Sequence, residues 1–162
     1  MRARSQPPRS TSSAIASSAD VVVAGWRERV DLPDWGIVRM AAKLDTGART
    51  SSLHVIDLRA LAGGVVSFDV VLSRRRADRI VHVEAPLVRT TRVRSSSGVL
   101  TLRHVVRTRL RMGPIDREIE INLVDRGPMI HRMLIGRSGL AGIAVSADRR
   151  YAITKPRRTT TP

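Results

Sequence analysis

The chain has 162 residues, enough for one domain with its own apolar core. Apolar residues make up 42% of it but aromatics only 2%, so Val, Ile, Leu and Ala must fill the interior, and the stacking platforms that hold single-stranded nucleic acid are nearly excluded. Cysteine is absent, which removes disulfides and thiolate metal sites, and the net charge is +15.

All 29 basic residues are arginine except Lys43 and Lys155. Two readings of that excess stand. One is codon bias in a GC-rich genome. The other is an acidic partner, because the planar guanidinium fork pairs carboxylates and phosphates bidentately. Nucleic acid is an available partner but not the favoured one, since no helix-turn-helix or zinc-finger spacing accompanies the charge.

Residues 1–20 are rich in Ser, Arg and Pro, without an apolar run long enough for a signal peptide or a membrane span. They read as a disordered tail, and residues 155–162 as a second, basic one. No membrane association is expected, and a cytoplasmic protein follows by default. Between the tails, residues 21–154 form one domain, with no tandem repeat and no internal boundary. Short β-prone runs separated by Gly, Pro, Asp and Ser predict strands at 21–31, 36–44, 52–58, 64–72, 79–84, 86–94, 99–112, 115–124, 131–135 and 150–154. Only Ser138 to Ala141 reads as a helical turn. Such a pattern implies an all-β barrel or sandwich.

One hairpin is specified in detail. Leu100, Leu102, His104, Val106, Thr108, Leu110 and Met112 alternate with Arg103, Val105, Arg107, Arg109 and Arg111. Beyond Gly113-Pro114, Ile115, Arg117, Ile119, Ile121 and Leu123 alternate with Asp116, Glu118 and Glu120. A two-residue turn sets Arg111 opposite Asp116, Arg109 opposite Glu118 and Arg107 opposite Glu120, and aligns the two apolar faces. A one-residue slip destroys both matches. Exposed pairs add little stability, so their role is to specify register. The remaining positive charge falls to Arg49, Arg74-Arg75-Arg76, Arg79, Arg89, Arg92, Arg94 and Arg137.

Asp45-Thr46-Gly47-Ala48 follows the apolar run Ile37 to Leu44, placing a carboxylate at a strand end on a small, flexible turn. Alone this is weak, because Asp and Gly populate ordinary turns. Met133-Leu-Ile-Gly-Arg137, an apolar strand running into Gly136, answers it downstream, and together they suggest half of an aspartic-peptidase site.

Lys43-Leu-Asp-Thr-Gly-Ala-Arg-Thr-Ser-Ser-Leu-His54 resembles the signature of bacterial retropepsin-like peptidases of the RimB type. That family is associated with RimK-like glutamate ligases and is often labelled an ATP-dependent zinc protease. Gly25-Trp-Arg-Glu28, Glu84-Ala-Pro-Leu87, Ser95-Ser-Ser-Gly98 and Arg132-Met-Leu-Ile-Gly-Arg137 fit the same family, so the resemblance runs from residue 24 to about 153. It implies a closed β-barrel of the retropepsin, or acid-protease, type with a flap hairpin and one short helix. Asp45 is then the catalytic carboxylate, braced by Thr46 and Gly47. Ser95, Ser96, Ser97 and Gly98 form the flap tip over the substrate. Ala48, Arg49 and Arg137 meet the substrate, and Ile135 and Gly136 support the site from beneath.

A peptidase of this type needs two carboxylates sharing one proton, one to activate water and the other to protonate the carbonyl oxygen. One Asp-Thr-Gly and no internal repeat leave a two-fold homodimer of Asp45 as the simple solution. The chain departs from viral retropepsins at Arg49, where those enzymes commonly carry an acid that pairs with the Arg of Ile-Gly-Arg. Two guanidinium groups near one cleft need an anion between them. This points to an acidic peptide, such as an α-linked oligoglutamate tail on a protein. Two alternatives remain open: Arg49 paired with a surface acid such as Asp57, and a non-enzymatic β-barrel module whose basic face binds an acidic tail or nucleic acid.

No cofactor and no metal is expected. His-Glu-x-x-His is absent, His54, His82, His104 and His131 are scattered singly, and no phosphate-binding glycine loop occurs. Arg74-Arg75-Arg76 reads as a solvated hairpin tip.

Overall fold

The alternating pattern becomes nine strands among the described residues of the computed structural model, 21–76, 78–94, 98–124 and 130–155. They are β1 (Val22–Leu32), β2 (Ile37–Leu44), β3 (Ser51–Leu61), β4 (Val65–Val71), β5 (Ile80–Arg94), β6 (Leu100–Met112), β7 (Ile115–Val124), β8 (Met133–Ile135) and β9 (Ile143–Arg150). The expected tail at 1–20, all of the one at 155–162 but Lys155, and the flap-tip residues Ser95, Ser96 and Ser97 lie outside the described residues. No described helix is long and apolar enough to cross a membrane.

The strands form one sheet in the order β4-β5-β6-β7-β3-β8-β2-β1-β9. Pairing of β4 with β3 and of β6 with β1 closes it on itself, the latter at Asp31 opposite Arg111. Inside lie small aliphatic side chains, among them Leu32, Ile37, Leu53, Leu110, Ile121, Met133 and Ile135, all essentially inaccessible to solvent. Phe68 is the largest fully buried side chain and meets the edge of Trp35 with ring centroids 5.5 Å apart.

The β6–β7 hairpin has the expected register, with Arg111 opposite Asp116, Arg109 opposite Glu118 and Arg107 opposite Glu120. The side chains pair partly on the diagonal. Arg109 grips Asp116 through two bonds of 2.5 and 3.0 Å, Arg107 reaches both Glu118 and Glu120, and Arg89 of β5 takes Glu120 at 2.6 Å.

Three expected elements differ. The runs 79–84 and 86–94 are one strand, β5, which pairs β4 up to Pro86 and β6 from Leu87. Proline is tolerated there because the strand is exchanging neighbours. The expected helix is instead two successive turns, Gly139 N–H to Gly136 O and Leu140 N–H to Arg137 O, ended by Gly142 at φ 74°. Among the described residues the one helical segment is a 3-10 turn at Pro33–Trp35. The last strand is not 150–154 but β9, parallel to β1, and the chain leaves it at Tyr151 with φ 57°.

Glu28 locks that chain end in place. It is fully buried on β1 and accepts from the N–H groups of Gly25 (2.7 Å), Ile153 (3.2 Å) and Thr154 (3.1 Å), and from the Thr154 hydroxyl. A Cβ on Gly25 would stand 2.7 Å from Arg149 O, so glycine is required where β1 meets β9.

Candidate active site

β2 and β3 are consecutive in sequence yet do not pair, because β8 lies between them, parallel to β2 and antiparallel to β3. Leu44 pairs with Ile135, so the two strands end together. The connection 45–50 must therefore arch over the carboxyl end of β8. The arch has no strand of its own to satisfy its backbone, and several of its polar groups find specific partners instead. Asp45 N–H donates to Ile135 O at 2.8 Å, Arg137 N–H to Ala48 O at 2.9 Å and Ser138 N–H to Arg49 O at 3.1 Å. Gly136 N–H donates to the buried Ser51 hydroxyl at 3.1 Å. Asn122 on β7, also buried, donates to Thr50 Oγ1 (2.9 Å) and Ser51 O (3.0 Å).

Gly136 is obligatory by close approach, since a Cβ there would lie 2.5 Å from both C and O of Thr50. Ile135 and Gly136 thus sit directly beneath the arch. Asp45 Oδ1 accepts from Gly47 N–H at 3.1 Å, while Oδ2 lies 3.5 Å from Lys43 Nζ. The Asp45 side chain keeps 26% of its exposure, so an acid held on a stiff loop still faces outward. Thr46 and Gly47 are exposed, and Ala48 is half-buried.

Arg49 and Arg137 are brought to the same end of the molecule by the backbone pairing of 48–49 with 137–138. Both side chains are exposed, and among the described residues neither pairs with a carboxylate. Asp57 is not the partner of Arg49: it stands exposed on β3 with φ 51°. Of the expected flap tip, Gly98 is described, at φ 82°, and beside it Val99, Leu100 and Leu102 expose 59%, 53% and 64% of their surfaces.

Sequence reasoning missed Lys43, Ser51 and Asn122 as members of the site. Lys43 had a signal, because residues two apart share a strand face. Asn122 had a weaker one, a polar residue inside the apolar run Ile119 to Val124. Among the described residues no group of three or more His, Asp or Glu is placed to hold a metal. Ser67, His82 and Asp69 line up across β4 and β5, but the Ser67–His82 separation is 3.5 Å and His82 is 63% exposed, so this is a cross-strand polar cluster on an open face.

The family model described as "Retropepsin-like aspartic endopeptidase RimB" matches residues 23–156. Two relatives carry the name probable alpha-L-glutamate ligase. That of Parasynechococcus marenigrum is 32% identical over 75% of this chain and 27% of its own length, and that of Desulfotalea psychrophila is 31% identical over 73% and 26%. The chain therefore spans about a quarter of the curated relatives it matches. A solved structure of a Legionella pneumophila protein of unknown function superposes with a TM-score of 0.68 at 24% identity, over 83% of this chain and 98% of that one, which shows the shared fold.

Proposed function

The chain belongs to the RimB-like family of retropepsin-like aspartic endopeptidases, and we propose that it hydrolyses peptide bonds with two Asp45 carboxylates joined across a two-fold homodimer. The observation behind this reading is the arch itself: one outward-facing carboxylate fixed at a strand end by Ile135, Gly47 and Gly136. Two such carboxylates in contact cannot both ionise, so they share a proton. The ionised one takes a proton from water as the oxygen adds to the scissile carbonyl, and the protonated one gives its proton to the carbonyl oxygen. Collapse of the tetrahedral adduct then breaks the C–N bond, with a proton passing to the leaving amine. Lys43 holds the carboxylate of the single chain, and a second Asp45 would compete for that position.

The favoured substrate is an acidic peptide, an α-linked glutamyl tail in particular. Two features support it. Arg49 and Arg137 stand exposed beside the arch without a carboxylate partner among the described residues. The relatives that contain a matching segment are named for α-L-glutamate ligation, so a bond-breaking domain would act on the same α-glutamyl chemistry.

Mass-spectrometric cleavage of α-linked oligoglutamate against a neutral peptide of equal length tests both parts. Hydrolysis of the acidic peptide that disappears in Asp45→Asn supports the proposal. Equal or faster turnover of the neutral peptide rejects the acidic preference, and tight binding without turnover in the parent chain leaves a binding module.

A further inference from the structure

The strongest concentration of unanswered charge lies away from Asp45. A cleft of about 500 Å³ opens between β1, the first half of β2, the β4–β5 connection and the segment entering β8. Arg27 and Arg29 line it from β1, Arg39 from β2, and Arg74, Arg75 and Arg79 from the β4–β5 connection, with Arg132 and His131 at the remaining side. No carboxylate is among the described lining residues, and those first six arginines make no ion pair with a described acid. The acid nearest in sequence, Glu28, points to the opposite face of β1, where backbone N–H groups occupy it.

Two details mark this as a built site. Arg27 Nε is buried without an acceptor among the described residues, which is uncommon for a buried donor. Arg39 is held at φ 56°, a conformation rare for a bulky side chain, where β1 and β2 slip register and Asp31 accepts its N–H at 2.7 Å. Strain of this kind persists where surrounding structure enforces it, and it is typical of ligand sites.

We propose that this cleft binds a small, multiply charged phosphate compound, an oligophosphate or the phosphate chain of a nucleotide. Its volume suits a small molecule. An extended acidic peptide is a poorer fit, because alternate side chains point to opposite faces and half its charges leave the cleft. An oligophosphate packs several charges within a few ångströms and matches guanidinium forks in pairs. The adjacent aromatic, Tyr151, already has Arg27 and Arg29 over its ring at 5.9 and 5.1 Å, so phosphate rather than a stacked base is what the cleft reads. Ala41 lines the cleft four positions before Asp45, about 13 Å at ~3.3 Å per strand residue, so occupant and peptide substrate need not touch.

Calorimetric titration of the full chain with sodium tripolyphosphate, at fixed ionic strength, tests this against sulfate and penta-α-glutamate. Saturable 1:1 binding is expected, weakened at least tenfold by Arg27→Gln and by the exposed-loop pair Arg74→Gln/Arg75→Gln. Arg92→Gln/Arg94→Gln on β5 and Asp45→Asn should change it less than twofold. The loop pair keeps the test valid if Arg27→Gln misfolds. Three results overturn the proposal: unchanged affinity in the loop pair, equal weakening by the β5 pair (a diffuse field from a +15 chain), or penta-α-glutamate binding as tightly as tripolyphosphate.

Discussion

At the carboxyl end of β2, polar groups are answered one by one. Asp45 N–H has Ile135 O, Ala48 O has Arg137 N–H, Arg49 O has Ser138 N–H, and Ser51 O has Asn122. Beside the first half of the same strand, six arginines line a cleft and pair with no described acid, Arg39 and Arg29 donating instead to the Lys155 and Arg39 carbonyls. In the first region these backbone bonds fix where one carboxylate points, although Asn122 Oδ1 stays buried without a donor among the described residues. The second, on our proposal, is completed by a bound anion. Internal satisfaction yields precise geometry, as chemistry requires, whereas a shared deficit of counter-charge yields affinity for an anion.

The largest expected effect separates the two regions by chemistry. Asp45→Asn should lower peptide hydrolysis by roughly 10²–10⁴-fold or more, measured by initial rates on an acidic peptide. Melting temperature and tripolyphosphate binding should not move. A loss of hydrolysis accompanied by lost phosphate binding would merge the two sites into one.

Stability effects come next. Glu28→Ala strips acceptors from three N–H groups at Gly25, Ile153 and Thr154. Unsatisfied buried donors cost ~1–3 kcal/mol each, less than additively, so urea titration should show a loss of at least about 2 kcal/mol. Removing this acid should leave the charge facing the cleft unchanged, because Glu28 lies on the other side of β1. Gly136→Ala places a methyl group against the Thr50 backbone. The arch must shift, at about 1–3 kcal/mol, and turnover should fall with it while tripolyphosphate affinity holds. Equal damage to both readouts would show that the regions are mechanically coupled along β2.

How much of this was legible in the sequence follows from how each region is assembled. Asp45-Thr46-Gly47 and Met133 to Arg137 are contiguous motifs, so the two segments that meet at the arch could be read from them. Asn122 and Ser51 join that site through a parallel pairing of β3 with β7, which no local pattern announces. The cleft was not legible at all. Its arginines come from four separated segments, and Arg74-Arg75-Arg76 by itself looked like a solvated hairpin tip. The β6–β7 register was legible because hydrophobic period and charge pattern specify the same pairing. Strand β9 was hidden by Ala144, Ser146 and Asp148, which have low strand preference and sit on a largely exposed edge. The helical reading of Ser138 to Ala141 failed because Gly139 and Gly142 leave room for turns alone. Gly139 is wedged against Ile135, 2.9 Å from where a Cβ would sit, and Gly142 has φ 74°.

The smallest expected effect concerns a third arrangement, the hairpin where arginines do have acids. Its hydrogen bond from Arg109, with Arg111 adding to it, holds the Asp116 carboxyl below the ordinary aspartate value, and Arg89 followed by Arg107 does the same for Glu120. A carboxyl depressed in the folded state contributes stability that is fully present above its unfolded pKa and is lost as pH falls through the folded one. Thermal melts should therefore be flat from pH 7 to about 5 on account of these pairs and decline below about 4. Asp116 keeps 38% and Glu120 34% of its side-chain exposure, so solvent screening keeps the effect to a few degrees at most. Arg89→Gln/Arg109→Gln should flatten the acid limb. Arg74→Gln/Arg75→Gln should leave that limb as it is, since those cleft arginines have no described carboxylate whose protonation could release them. An acid limb that changes equally in both pairs would mean the cleft charges are answered after all, and the contrast along β2 would fall.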